Sequence, residues 1–310
     1  MPRITDLVGS GRFVVTSELT PPKGLDLAPM LEAARSLAGF VDAFNLTDSH
    51  NARMSMAPVG AARRLLDEGV EPILQMTARD RNRIAIQADL LAAAALGVSN
   101  VVLMTGDAPS HGDHPDAKAV FDLGSVAIIE TVRGLNEGRD LAGNALRGAP
   151  ELCIGAVVNP GSPDLDGEME RMAAKVEAGA RFFQTQAVYD MAAFARFARR
   201  LERFEGLGVS VIAGVIPIKS VRMARYLNEN VPGIEVPEAL IEEIAGSRNV
   251  DAASTAIAAR TIAELEPICE GVHLMTLGRE DLIPAIVESA GIATGSAQDL
   301  PRSAQMSAGS

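Results

Sequence analysis

Short apolar runs rich in β-branched residues recur along this chain, and each is followed by a stretch whose apolar residues return at helical spacing. No other feature limits the fold so strongly. Strand and helix in strict alternation require a parallel sheet whose crossovers are helices, because parallel neighbours cannot be joined by a tight turn. The runs are Arg12 to Thr20, Val41 to Thr47, Pro72 to Ala78, Asn100 to Asp107, Leu152 to Asn159, Arg181 to Tyr189, Val211 to Ile218 and Val272 to Gly278. After the third, Ile84, Gln87, Ala88, Leu91 and Ala95 lie on one helical face, and Gly97 follows as a stop. The link from Lys219 to Gly271 is long and reads as several helices.

Eight such units in roughly 280 residues match a closed (β/α)8 barrel, an α/β TIM barrel, better than an open doubly wound sheet. The phosphate loops of open sheets are also missing: no G-x-G-x-x-G follows the first run, and no G-x-x-x-x-G-K-[ST] occurs. The expected organisation is one catalytic barrel over residues 1–293. The segment 294–310 is small, polar and aperiodic, and is expected to be a disordered tail.

Composition narrows the function. A formal net charge of -12 argues against a nucleic-acid partner, which needs a clustered basic surface. The two cysteines, Cys153 and Cys269, have no ligand-spaced neighbour and read as buried thiols, so no metal is expected. No run approaches the ~20 apolar residues of a membrane span, and Met1 to Asp6 carry no apolar leader core, so the expected compartment is the cytoplasm.

In a barrel of this type the active site lies at the C-terminal strand ends. Here those ends are polar: Glu18, Thr47 with Asp48, Arg79 with Asp80, Asp107, Asn159, Gln184 with Gln186, Lys219 and Arg279. Any one of them is as readily a solvated loop residue; their coincidence points to a site. Alternation turns Glu18 the same way as Thr16 and Thr20, into the mouth, where partial burial is expected to raise its pKa and suit it to general-acid work. Pro21 and Pro22 fix the chain's exit beside it. Gly106 permits close backbone approach to a planar ligand, and Asp107 can stabilise positive charge. Arg53, Arg79, Arg81 and Arg83 read as solvated or paired charges, although Arg79 and Arg81 can also hold phosphates. His111, Asp113, His114 and Asp116 share one loop and read as a cofactor cover rather than a metal site.

From about Phe13 to Ile292 the chain resembles the methylenetetrahydrofolate reductase family, in the short form without a regulatory domain. The resemblance rests on Thr16-Ser17-Glu18-Leu19-Thr20-Pro21-Pro22-Lys23, Asn45-Leu46-Thr47-Asp48, the stretch from Gln75 to Arg83, and Leu103-Met104-Thr105-Gly106-Asp107. It continues through Gly112 to Lys118, Val120-Phe121-Asp122-Leu123, Lys175 to Ala180, Gln184-Thr185-Gln186, Gly214 to Ile218 and Thr276-Leu277-Gly278-Arg279.

The resemblance implies reduction of 5,10-methylenetetrahydrofolate to 5-methyltetrahydrofolate, within one-carbon metabolism and methionine biosynthesis. Hydride would pass from NADH or NADPH through a bound flavin, FAD ahead of FMN. It further implies that Glu18 and Asp107 are catalytic and that Thr47, Gln75, Thr105, Gly106, Asp107, Phe121 and Lys175 bind the flavin. Glu18, Asp107, Gln186 and Arg279 would bind folate, in a homo-oligomer that can work with a redox partner subunit. The sequence departs from the better-known members at Leu19 and Thr20 beside the glutamate, at Gln75 in place of a flavin-contacting histidine, at Thr105 in place of an arginine, and over Val157-Val158-Asn159-Pro160. Two other readings stand beside this one: a flavin-free folate barrel that passes a methyl group to a corrinoid or thiol, and a non-catalytic subunit serving a redox partner. The absence of a Cys or His zinc cluster argues against thiol activation.

Overall fold

The computed structural model describes residues 2–293, so the expected tail at 294–310 lies outside the described residues. A short helix α1 (Ile4–Gly9) precedes the first unit, β1 (Val14–Leu19) and α2 (Ala28–Leu37). The next units are β2 (Ala43–Leu46) with α3 (Pro58–Asp67), β3 (Pro72–Thr77) with α4 (Arg83–Ala95), and β4 (Asn100–Met104) with α5 (Ser125–Asn136). They continue as β5 (Cys153–Val158) with α6 (Leu165–Ala178), β6 (Phe182–Ala187) with α7 (Met191–Arg199), and β7 (Ser210–Val215) followed by α8 (Val221–Asn230), α9 (Glu238–Gly246) and α10 (Val250–Leu265). The last unit is β8 (Gly271–Leu274) with α11 (Ile283–Ser289). All eight strands are parallel and form one closed barrel in chain order, the (β/α)8 architecture the periodicity requires. β1 pairs with β8 to shut the ring, Thr16 opposite His273 and Ser17 opposite Leu274.

Several strands stop earlier than the apolar runs suggest, for a backbone reason. Beyond β4, Gly106 adopts φ +87°, and beyond β8, Leu277 and Gly278 adopt +52° and +83°. Left-handed residues cannot continue a ladder, so the C-terminal ends of these two runs are released as loop. Several helices start where polar side chains cap free amides. Asn82 Oδ1 accepts from Ile84 N and Ala85 N, Asp190 Oδ1 accepts from Ala192 N and Ala193 N, and Ser220 Oγ accepts from Met223 N. Each such cap is worth about 1 kcal/mol.

Outward-facing strand residues such as Phe44, Leu74, Leu103 and Phe183 pack under the helices as the main core. Inside the ring, Val14, Ala43, Ile73, Val102, Cys153, Phe182 and Ile212 form an apolar floor. The Phe182 ring fills the space where Gly155 lacks a side chain; a Cβ there would lie 2.2 Å from Phe182 Cζ. Helix α1 closes this floor from below with Ile4 and Leu7, and Ile4 N donates to Asn100 Oδ1 at 2.9 Å. Its Ile4, Leu7 and Val8 carry helical spacing at the sequence level, but the run is too short to stand out. Both cysteines are free and buried, Cys153 in the floor and Cys269 in the outer core.

Candidate active site

Above the floor the barrel interior turns polar. Thr16, Asn45, Gln184 and His273 are buried there, from β1, β2, β6 and β8. Asn45 and Gln184 exchange amide hydrogen bonds, Nδ2 to Oε1 at 2.6 Å and Nε2 to Oδ1 at 2.9 Å. One step higher in the mouth stands Glu18, its side chain 18% exposed. Gln75 Nε2 donates to Glu18 Oε1 at 3.1 Å, and His273 Nε2 faces the same oxygen at 3.5 Å.

The protonation expected of Glu18 needs correction. Burial is the largest influence and pushes its carboxyl up, but His273, the charge of His50 and the Gln75 amide together outweigh it, and the carboxyl is held below its ordinary value. Sequence alternation located the carboxylate, but it could not show which donors converge on it. His273 went unnoticed because it sits in an apolar run, Gly271-Val272-His273-Leu274, that reads as core.

Thr47 continues the inward face of β2 and is buried, with its Oγ1 making no hydrogen bond among the described residues. Across the mouth, Val157 occupies an inward position of β5 and is nevertheless 37% exposed. Gln186, inward on β6, is half-buried and its Oε1 accepts from Ala187 N. Glu18, Thr47, Gln75, Val157 and Gln186 thus line one polar and apolar opening.

The β4 loop forms the rim. Thr105 and Asp107 are exposed, and Gly106 between them lies against β3; a Cβ on it would come 2.8 Å from Thr77 Cβ. Phe121, 37% exposed, holds a left-handed φ of +43°. The other left-handed non-glycine residues among those described, Ser49, Asn51, Ala52 and Leu277, also lie in loops at this end of the barrel. Strain gathered at one face and supported by packing is a mark of functional loops. Asp113 ties three of these loops together: it accepts from Met54 N at 2.9 Å, pairs with Lys23 at 2.5 Å and contacts His114 Nδ1 at 2.9 Å.

Other candidates lie apart from the opening. Lys175 reaches from α6 to the Val157 carbonyl, 2.7 Å away, and burial pushes its amine below the usual lysine range. Arg279, beyond β8, is gripped by Asp251 at 2.7 Å and Asp281 at 2.9 Å. Arg79 pairs with Asp80, Arg81 with Asp48 and Asp89, and Arg83 with Asp122. Those three arginines are committed to carboxylates, so the paired reading replaces a phosphate-holding one for Arg79 and Arg81. Among the described residues no helix is long and apolar enough to cross a membrane.

Comparison with known proteins agrees with this architecture. The chain is 24% identical to a probable methylenetetrahydrofolate reductase (NADPH) of Caenorhabditis elegans, over 94% of this chain and 44% of that one. It is also 24% identical to the 5,10-methylenetetrahydrofolate reductase of Pectobacterium carotovorum, over 63% of this chain and 61% of that one. The chain therefore spans less than half the length of the nematode relative. Among solved structures, an uncharacterized Clostridium thermocellum protein that binds two copies of 5-methyl-5,6,7,8-tetrahydrofolic acid shares the fold, with TM-score 0.63, 14% identity and coverage of 93% of this chain and 97% of that one. The family model described as methylenetetrahydrofolate reductase matches residues 3–291, and the chain belongs to that family.

Proposed function

We propose that this chain reduces 5,10-methylenetetrahydrofolate to 5-methyltetrahydrofolate, with residues 1–293 acting as one catalytic unit. The observation that carries the reading is Glu18: a carboxyl set between the Gln75 amide and the His273 imidazole, in the open mouth of a barrel of this family. The Clostridium thermocellum protein of similar fold binds the compound that would be the product here.

The mouth suits a flavin ring. Thr47 offers a buried hydroxyl in need of a partner, Gln75 an amide, and Val157 an apolar wall. Thr105, Gly106 and Phe121 form the rim above, with Lys175 behind β5, and Arg53 and Lys118 are exposed rim cations with no carboxylate in ion-pair range among the described residues. When bound, the flavin supplies the two-electron relay that takes hydride from NADH or NADPH and delivers it to the one-carbon unit. Glu18 gives its proton to the folate nitrogen that departs as the five-membered ring opens, leaving a cationic iminium whose carbon accepts the hydride. Asp107 places a negative charge on the rim to favour that cation. Gln186 orients the pterin, and Arg279 meets the folate side once its carboxylate partners yield it.

In the free chain Glu18 is ionised at neutral pH, so it must gain its proton as the substrate covers the mouth. Excluding water strengthens the influence of burial, which already dominates among the individual effects.

The test is direct. The purified chain should be yellow, its released chromophore distinguishing FAD from FMN, and it should turn over methylenetetrahydrofolate with NADH or NADPH. Glu18→Gln should still accept electrons yet fail to reduce the folate. A colourless protein that binds methyltetrahydrofolate without reducing its precursor would favour methyl transfer instead. A protein active only with an added redox protein would favour the partner-subunit reading.

A further inference from the structure

We infer that His273 positions Glu18: the buried Thr16, Asn45 and Gln184 side chains hold its ring with the hydrogen on Nε2, so that His273 and Gln75 both address Oε1 of Glu18 and leave Oε2 to carry the transferable proton. This rests on Glu18 being the acid.

The argument begins with the amide pair. Each amide gives one N–H to the other, so Gln184 Nε2 keeps one hydrogen, and that nitrogen lies 3.4 Å from both Thr16 Oγ1 and His273 Nδ1. A hydrogen on Nδ1 would compete with this one for the Thr16 oxygen. Thr16 Oγ1 stands 2.9 Å from Nδ1 and 3.4 Å from the Val272 carbonyl, and we assign its hydroxyl hydrogen to the shorter of the two contacts. Nδ1 therefore accepts, and the neutral ring carries its hydrogen on Nε2. All four groups are buried, so bulk water does not compete.

That Nε2–H points at Glu18 Oε1 from 3.5 Å, while the Gln75 amide hydrogen approaches the same oxygen from 3.1 Å. An oxygen facing two N–H groups cannot also hold the carboxyl hydrogen, which belongs on Oε2. The His273 contact is long for a hydrogen bond, and it is worth more to a charged acceptor than to a protonated one, the more so once water is excluded. His273 thus favours the state after proton transfer more than the state before it, which is the differential that speeds a reaction. His50 is the other titratable group that influences Glu18, from the loop after β2; it is exposed and lies outside the buried cluster.

Two measurements test the inference. The chain has four histidines, and His50, His111 and His114 are exposed. In long-range proton–nitrogen NMR spectra of the native chain, the single buried ring should show the Nε2–H pattern; an Nδ1–H pattern overturns the inference without any mutation. The second is the pH profile of folate reduction, whose alkaline limb reports the protonated acid. His273→Gln keeps an N–H near the Nε2 position and should retain the limb. His273→Asn loses it and should move the limb upward by roughly one pH unit, because a donor that favours the anion has been removed. Equal, unshifted limbs in both variants overturn the inference. Folate reduction surviving in Glu18→Gln would instead remove the acid reading on which it rests, and the NMR result would still report the tautomer.

Discussion

Arg81 and Asp48 form a forked ion pair just under the mouth, Nη1 to Oδ2 at 2.7 Å and Nη2 to Oδ1 at 3.2 Å, with side chains only 14% and 4% exposed. Asp48 Oδ2 also accepts from the Thr77 amide and hydroxyl, each at 2.9 Å, so one carboxylate joins the β2 loop to the end of β3. Asp48→Asn leaves the arginine short of a partner. Loss of one member of a buried pair costs about 3–5 kcal/mol. The expected outcome is a large drop in chemical-denaturation midpoint, and an unchanged midpoint would show that Asp89 alone suffices to hold Arg81.

Glu18 supplies a second prediction. Its carboxyl lies below the ordinary range in the open mouth, and covering it with substrate removes water. Folate binding at about pH 6 should therefore take up protons, fewer than one per site. Calorimetric titration in two buffers of different ionisation enthalpy reads that number. Zero uptake in the native chain, or the same uptake in Glu18→Gln, would detach the proton from this residue.

For Asp107, charge is the variable. Asp107→Asn keeps the shape of the rim while removing the negative charge proposed to favour the iminium. The folate half-reaction should slow by about 10²-fold, on the scale of losing one preorganised electrostatic contact, with a smaller effect on electron uptake from the nicotinamide. Stopped-flow traces of the two halves separate these outcomes. Equal slowing of both would mean general damage.

The barrel floor carries a pH dependence of its own. Burial raises the Glu71 carboxyl to about 7 from its ordinary value, against the Asn100 amide that donates to it at 2.8 Å and pulls it down. Between its unfolded value and about 7 the native chain binds the extra proton, so stability falls as pH rises through that window and levels off above it. Glu71→Gln should flatten the slope and stabilise the chain at pH 8 by up to about 3 kcal/mol. Thermal melts across pH 5–8 check this; parallel curves for the two proteins would contradict it.

The fold was legible because helix and strand periods differ, and repeated units leave a closed parallel barrel as the compact solution. Strand ends were overrun where the apolar pattern outlasted the ladder: nothing in Thr105-Gly106-Asp107 announces that Gly106 turns left-handed against Thr77. Alternation was enough to aim Glu18 inward. It could not reveal the company Glu18 keeps, since His273 and Gln75 arrive from strands remote in sequence and their effect on the carboxyl opposes that of burial. Arg81 and Arg83 were ambiguous for the same reason, because their carboxylates Asp48 and Asp122 lie 33 and 39 residues away.

The seam between β1 and β8 has a consequence for the newly made chain. Thr16 and His273 are 257 positions apart, yet they touch across the last pair of strands to close. A ribosome that has delivered seven strands has delivered Glu18 without its imidazole neighbour, on a sheet whose two edges are still bare. Partial products of translation therefore lack the contact between β1 and β8, and His273 meets Thr16 and Glu18 only when the final strand shuts the ring.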